Sequence, residues 1–219
     1  PPAARAQSAD GRTDWPGAGQ LFVGTNYQPF DRTREQIPRD IQRMKQAGMK
    51  VVRMGDLAWD AFEPAEGKYD FKTFDWIMDQ MQAAGLKVIM DIPGQPAPIW
   101  LHKKYPGVDI VNEKGNRLDP VERYMDDTSD PNYRRPLVRL ADTMTKRYAK
   151  HPALFAIGYN NESGNGMVSY SEADRKRFIG WLQKKYGSID ALNKAWATQR
   201  WSRHLNTWDE VRLPYIEGP

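Results

Sequence analysis

Four segments of the chain are apolar along most of their length instead of at alternate positions: LFVGTNY (21–27), KVVRMGDLA (50–58), KVIMDIPG (87–94) and ALFAIGYNNE (153–162). A strand with one face in water alternates apolar and polar residues. A strand rich in Val, Ile, Phe and Met without alternation must be covered on both faces, as in a parallel sheet flanked by helices. The stretches between these segments carry helical spacing. Ile37, Ile41, Met44 and Ala47 fall on one face of IPRDIQRMKQAG (37–48), and Ile77, Met81 and Ala84 on one face of FDWIMDQMQAAG (74–85). Leu137, Leu140, Ala141, Met144 and Tyr148 share the inward face of a third helix over 131–151. Gly48 and Gly85 stand directly after the first two runs, where a left-handed residue closes a helix. The predicted order is strand and helix in alternation, so the fold class is α/β.

Each predicted strand ends in polar groups: Asn26 and Tyr27, then Arg53 and Asp56, then Asp91, then Asn161 and Glu162. In a (β/α)8 TIM barrel all strand C-termini open onto one face, where the βα loops build the active site. A doubly wound dinucleotide fold would place Gly-x-Gly-x-x-Gly after the first strand, and that motif is missing here. The pattern therefore predicts a (β/α)8 barrel of which this chain supplies about the first four βα units. Half a barrel leaves open sheet edges, so a companion fragment or a continuation of the polypeptide is expected to complete it. An open four-stranded sheet is the alternative.

At 219 residues the chain is long enough for one core, taken as residues 20–219. Residues 1–19, PPAARAQSADGRTDWPGAG, lack periodicity and read as a flexible leader. Ala4-Arg5-Ala6 has the small-x-small form of a signal-peptidase site, which would make the leader the tail of an export signal and the protein periplasmic or secreted; a plain leader would leave it cytoplasmic. Against 28 acidic residues, 32 Lys and Arg leave a charge of +4. They form no basic stripe with interleaved aromatics, so no nucleic acid partner is expected. No run approaches the ~18 apolar residues of a membrane helix. The chain has no cysteine, hence no disulfide and no thiolate metal site. His102, His151 and His204 are too scattered for a ligand set, and solvated or capping roles are expected. Neither a metal nor another cofactor is expected.

The segment AIGYNNESGNG (156–166) drives an apolar run into two asparagines and a glutamate and then breaks it with Gly164 and Gly166. Such a pattern is either a surface turn or an acid held at the end of a buried strand. The longer motifs bear on the choice. GTNYQPF, IQRMKQAGMKVVRMGDLAWDAFEPAEGKYDF, APIWLHKKYPGVDIVNEKGNR, HPALFAIGYNNESG and FIGWLQKKYGSIDALNKAWATQRWSRHLNTWDEVRLP resemble, in order and spacing, the N-terminal half of glycoside hydrolase family 42 β-galactosidases.

The resemblance implies a retaining glycosidase on a (β/α)8 barrel, with terminal β-D-galactosyl groups as substrate and Asn161-Glu162 as the pair ending the fourth strand. Glu162 would be the general acid/base, kept protonated if its site is partly desolvated beside a second carboxylate. Asn161 would hold a sugar hydroxyl such as the 2-OH. Arg123, in VERYMDD, would reach the galactose subsite with its forked donors, and Trp201, in TQRWSRH, would cover the apolar face of the sugar. Tyr27, Arg53, Asp56 and Trp59 stand at strand ends as either sugar contacts or support. Family members are often trimers, which implies a homo-oligomer, and many bind zinc through cysteines that this chain lacks. The family's nucleophile, a glutamate on the seventh strand, has no counterpart in these residues; Glu210 and Glu217 follow the fourth unit and are not candidates. A carbohydrate-binding module that kept Arg123 and Trp201 without hydrolysis is the second reading.

Overall fold

The computed structural model describes residues 23–120, 125–162 and 168–214. The leader, Arg123, Gly164, Gly166 and Glu217 lie outside the described residues. The chain divides into two compact units, one formed by residues up to 98 with 136–162, the other by 99–135 with the residues after 162.

The first unit contains a four-stranded parallel sheet of β1 (Gly24–Asn26), β2 (Val51–Met54), β3 (Lys87–Asp91) and β4 (Leu154–Gly158), in the strict order β1-β2-β3-β4. A doubly wound sheet reverses its order at a switch point. This sheet does not reverse, which is the connectivity of consecutive units in a barrel wall. The register runs Gly24↔Val51, Val52↔Val88 and Met90↔Ile157. Between β3 and β4 it slips by one residue, Val88 facing Leu154 and Ile89 facing Ala156, so that Phe155 is the extra residue of a bulge.

Helices α1 (Gln36–Gln46) and α3 (Lys72–Ala83) connect the first three strands, and a short α2 (Trp59–Phe62) follows β2. Ile37, Ile41, Met44, Ile77 and Met81 are buried as their spacing predicts, whereas Ala47 is exposed because the helix has already ended there. Residues 136–148 of α5 (Pro131–Tyr148) add Leu140, Met144 and Tyr148 to the same core. Phe30, Phe62, Phe71, Phe74 and Tyr148 form a run of ring contacts with centroids 5.0–6.2 Å apart. Each fully buried ring or Met contributes ~1.5–3 kcal/mol over the exposed state. The edge strand β4 is less covered, with Ile157 exposed, as is Tyr159 just beyond the strand.

The second unit holds α4 (Ile99–Lys104), α6 (Glu172–Tyr186) and α7 (Ile189–Trp196), and its core joins Ile179, Leu182, Leu192 and Val211. Two serines start the last two helices. Ser171 accepts from the Asp174 amide and Ser188 from the Ala191 amide, each satisfying an N–H that the first turn leaves without a helical partner. Among the described residues, no helix is long and apolar enough to cross a membrane.

Candidate active site

The predicted strands are longer than the observed ones. β4 ends at Gly158, so Asn161 and Glu162 sit in the bend beyond it and not on the strand itself. A guanidinium links this bend to the sheet. Arg53, on β2 and half-buried, donates to Asn26 Oδ1 at 3.4 Å and to Asn161 Oδ1 at 3.2 Å. It also pairs with Asp56 at 3.4 Å and with the buried Asp91. One side chain thus links the C-terminal ends of β1, β2 and β3 to the bend beyond β4. Its fork of donors suits this task, because a planar guanidinium meets several acceptors at once with fixed directions.

The network decides how Asn161 is presented. Its Oδ1 accepts from Arg53, so its NH2 end is directed to the remaining side of the amide as a donor. Asp91 is 1% exposed, and burial pushes its carboxyl upward, opposed by the neighbouring Arg53 cation and reinforced by Asp56. Its position also explains a glycine. A Cβ on Gly158 would lie 1.8 Å from Asp91 Oδ1, so β4 can pass this carboxylate only without a side chain. Asn160 donates to the fully buried Gln95 at 3.1 Å and fixes the segment after β3 against the segment after β4.

Glu162 has φ 47°, a left-handed conformation that costs a non-glycine residue ~1–3 kcal/mol and is commonest at functional sites. It is exposed in this chain, so the partial desolvation expected from the sequence is not supplied by the residues described.

The other strand-end residues resolve into support. Tyr27 is buried and donates to Asp40 at 3.0 Å. Trp59 is 1% exposed and donates its indole N–H to the buried Glu63 at 2.8 Å, which leaves it no sugar face. Asp56 accepts from Gln28 at 2.9 Å. Arg53 was readable as the one cation inside the apolar run VVRM, but its role as a hub was not, since its partners other than Asp56 come from 27 to 108 residues away.

In the second unit Trp201 is 89% exposed, in a turn where Ala197, Trp201 and Ser202 all have positive φ. An open cleft of about 530 Å³ in this unit is lined by Asp190, Asn193, Lys194, Gln199, Arg200 and His204. Asp127 and Ser129 are held by an arginine of α6: Arg177 donates to Asp127 at 2.7 Å and Ser129 at 2.8 Å, and also to Asp174 at 2.6 Å. His151 caps locally by accepting from the Ala153 amide at 3.2 Å. His102 departs from the expectation of a solvated or capping residue, because it is buried between two carboxylates. Glu210 accepts from the Asn206 amide at 2.6 Å, a turn-closing role. Among the described residues, no three His, Asp or Glu side chains form a set that could hold a metal.

The family model described as beta-galactosidase, glycoside hydrolase family 42, matches residues 26–217. The chain belongs to glycoside hydrolase family 42. A β-galactosidase from an Arthrobacter species is 34% identical over 92% of this chain and 29% of its own, and one from Heyndrickxia coagulans is 33% identical over 89% and 30%. The solved β-galactosidase of the psychrophilic Marinomonas ef1 superposes with TM-score 0.84 at 32% identity, covering 90% of this chain and 30% of that one. The chain spans about 30% of the length of the curated relatives it matches. Within the family fold, its four parallel βα units are part of a (β/α)8 barrel.

Proposed function

We propose that this chain is the first half of the catalytic barrel of a retaining β-galactosidase, occupying residues 20–219, with Glu162 as general acid/base. The observation that carries the reading is the link from Arg53 to Asn161, which brings the residue beside Glu162 to the ends of β1, β2 and β3 within a family 42 chain. In this reading Glu162 protonates the departing glycosidic oxygen while a second carboxylate attacks the anomeric carbon. The resulting galactosyl-enzyme is then hydrolysed by water that Glu162 deprotonates. The second carboxylate comes from barrel strands outside these 219 residues, on a continuation or a companion fragment. Those strands would also supply the desolvation that Glu162 lacks here. Asn161, its carbonyl held by Arg53, donates to a sugar hydroxyl; Arg123 and Trp201 complete the galactose subsite; no cofactor takes part.

The test is Glu162→Ala in the full-length enzyme. A general acid matters most when the leaving group is poor, so lactose cleavage should be nearly abolished while the first step with an activated aryl galactoside survives. Added azide needs no base and should restore turnover, yielding a β-galactosyl azide, since two displacements at one carbon retain configuration. Equal slowing of both substrates without azide rescue would remove Glu162 from the mechanism, and no hydrolysis of either substrate by the unsubstituted full-length protein would favour the binding-module reading.

A further inference from the structure

His102 on α4 is 5% exposed, and both its ring nitrogens face carboxylates: Nδ1 lies 2.6 Å from Asp109 Oδ1 and Nε2 lies 2.9 Å from Asp126 Oδ1. A neutral imidazole has one N–H and one lone pair. In either tautomer one nitrogen would set its lone pair against a carboxylate oxygen at under 3 Å. The imidazolium, with two donors, satisfies both contacts. Burial opposes the charge, but the hydrogen bonds and attraction of Asp126 and Asp109 outweigh it and raise the pKa above the ordinary histidine value.

Among the described residues, further charged and titratable groups stand around the triad. Arg117, half exposed, reaches the other oxygen of Asp109 at 3.1 Å. Tyr133, from α5, is buried beside Asp126, and burial with that negative charge keeps its phenol protonated. Lys103 and Lys104 on α4 itself are exposed.

The two aspartates are the two sides of a neck. Asp109 and Asp126 form an antiparallel bridge, the Ile110 amide donates to Met125 O at 3.2 Å, and the Asp127 amide donates to Val108 O at 2.6 Å. On the excursion that the neck closes, Val111 pairs with Arg117 and the Leu118 amide donates to Ile110 O at 2.8 Å.

We infer that His102 is a charged clamp, an imidazolium that ties both sides of the 109–126 neck to α4, and that removal of one proton turns one of its two attractions into a repulsion and opens the neck. The direction follows from linkage. An unfolded histidine titrates near ~6.5, and the folded value lies above it, so the stabilisation is complete below the unfolded value and is lost as pH rises through the folded one. The neck therefore opens on the alkaline side, the reverse of a histidine switch that acts on acidification.

The experiment uses the full-length protein labelled with 15N-histidine. The ring signal that disappears in His102→Gln should show both nitrogens protonated at neutral pH. Hydrogen exchange of peptides spanning 106–120, corrected for the intrinsic rate over about pH 6 to 10, should show protection falling about tenfold through the His102 titration, the size expected for one charged hydrogen bond. His102→Gln should be weakly protected at every pH. Asp126→Asn, which keeps the residue's shape, should move both the ring titration and the opening toward neutral pH together. A single protonated ring nitrogen at neutral pH, or neck protection that is unchanged while the ring titrates, would overturn the inference.

Discussion

Gly158→Ala tests whether the site depends on a contact chain that begins at the last residue of β4. The added Cβ would stand 1.8 Å from Asp91 Oδ1 and 2.9 Å from its Cγ, where ordinary contact begins at 3.4 Å. The carboxylate must withdraw by roughly 1.5 Å, and because Asp91 is 1% exposed it has little room to do so. Overpacking of this kind costs ~1–3 kcal/mol. Withdrawal also pulls Asp91 off Arg53, and breaking a buried ion pair costs ~3–5 kcal/mol. Arg53 keeps 30% of its side chain in solvent, so water recovers part of that loss.

The expected destabilisation is about 3 kcal/mol, read as a lower urea midpoint at unchanged slope in the full-length protein. Galactoside hydrolysis should fall with it, because Arg53 then no longer fixes Asn161. The second arm is a double-mutant cycle. In an Asp91→Ala background the added methyl meets empty space, and Gly158→Ala should then cost under ~1 kcal/mol, a coupling of ~2 kcal/mol or more. Equal costs in the two backgrounds would show that the glycine is needed for some reason other than Asp91, and the contact chain would be wrong.

Trp201→Ala should change stability by no more than ~0.5 kcal/mol, since the ring is 89% exposed, and should weaken inhibition by galactose; thermal denaturation and inhibition measured on one preparation decide between a sugar platform and a packing residue. Ser171→Ala removes the acceptor for the Asp174 amide and should cost ~1 kcal/mol, with most of it regained in Ser171→Asn. Chemical denaturation that left Ser171→Ala unchanged would mean that the cap is replaced by water.

Much of the fold was legible because burial on both faces writes itself into composition. The unalternating runs at 50–58 and 87–94 mark β2 and β3, and Gly48 and Gly85, with φ of 72° and 74°, close their helices as expected. The short helices α2 and α4 were not legible, since four or six residues cannot show a period. His102 was misjudged for a related reason. A lone histidine carries no pattern, and its two aspartates lie 7 and 24 residues away.

The sequence by itself determined the element types and the family, and singled out the pair Asn161-Glu162 as the candidate, because periodicity, helix-closing glycines and long motifs are properties of residues near one another along the chain. Tertiary structure decided the strict strand order that separates a barrel wall from a doubly wound sheet, the bend in which Glu162 sits beyond β4, and the reason for Gly158. It also decided that one arginine serves as the hub of the strand ends. Each of these depends on which distant segments meet, and a hydrogen bond such as that from Arg53 to Asn161, spanning 108 residues, leaves no local trace in the chain that makes it.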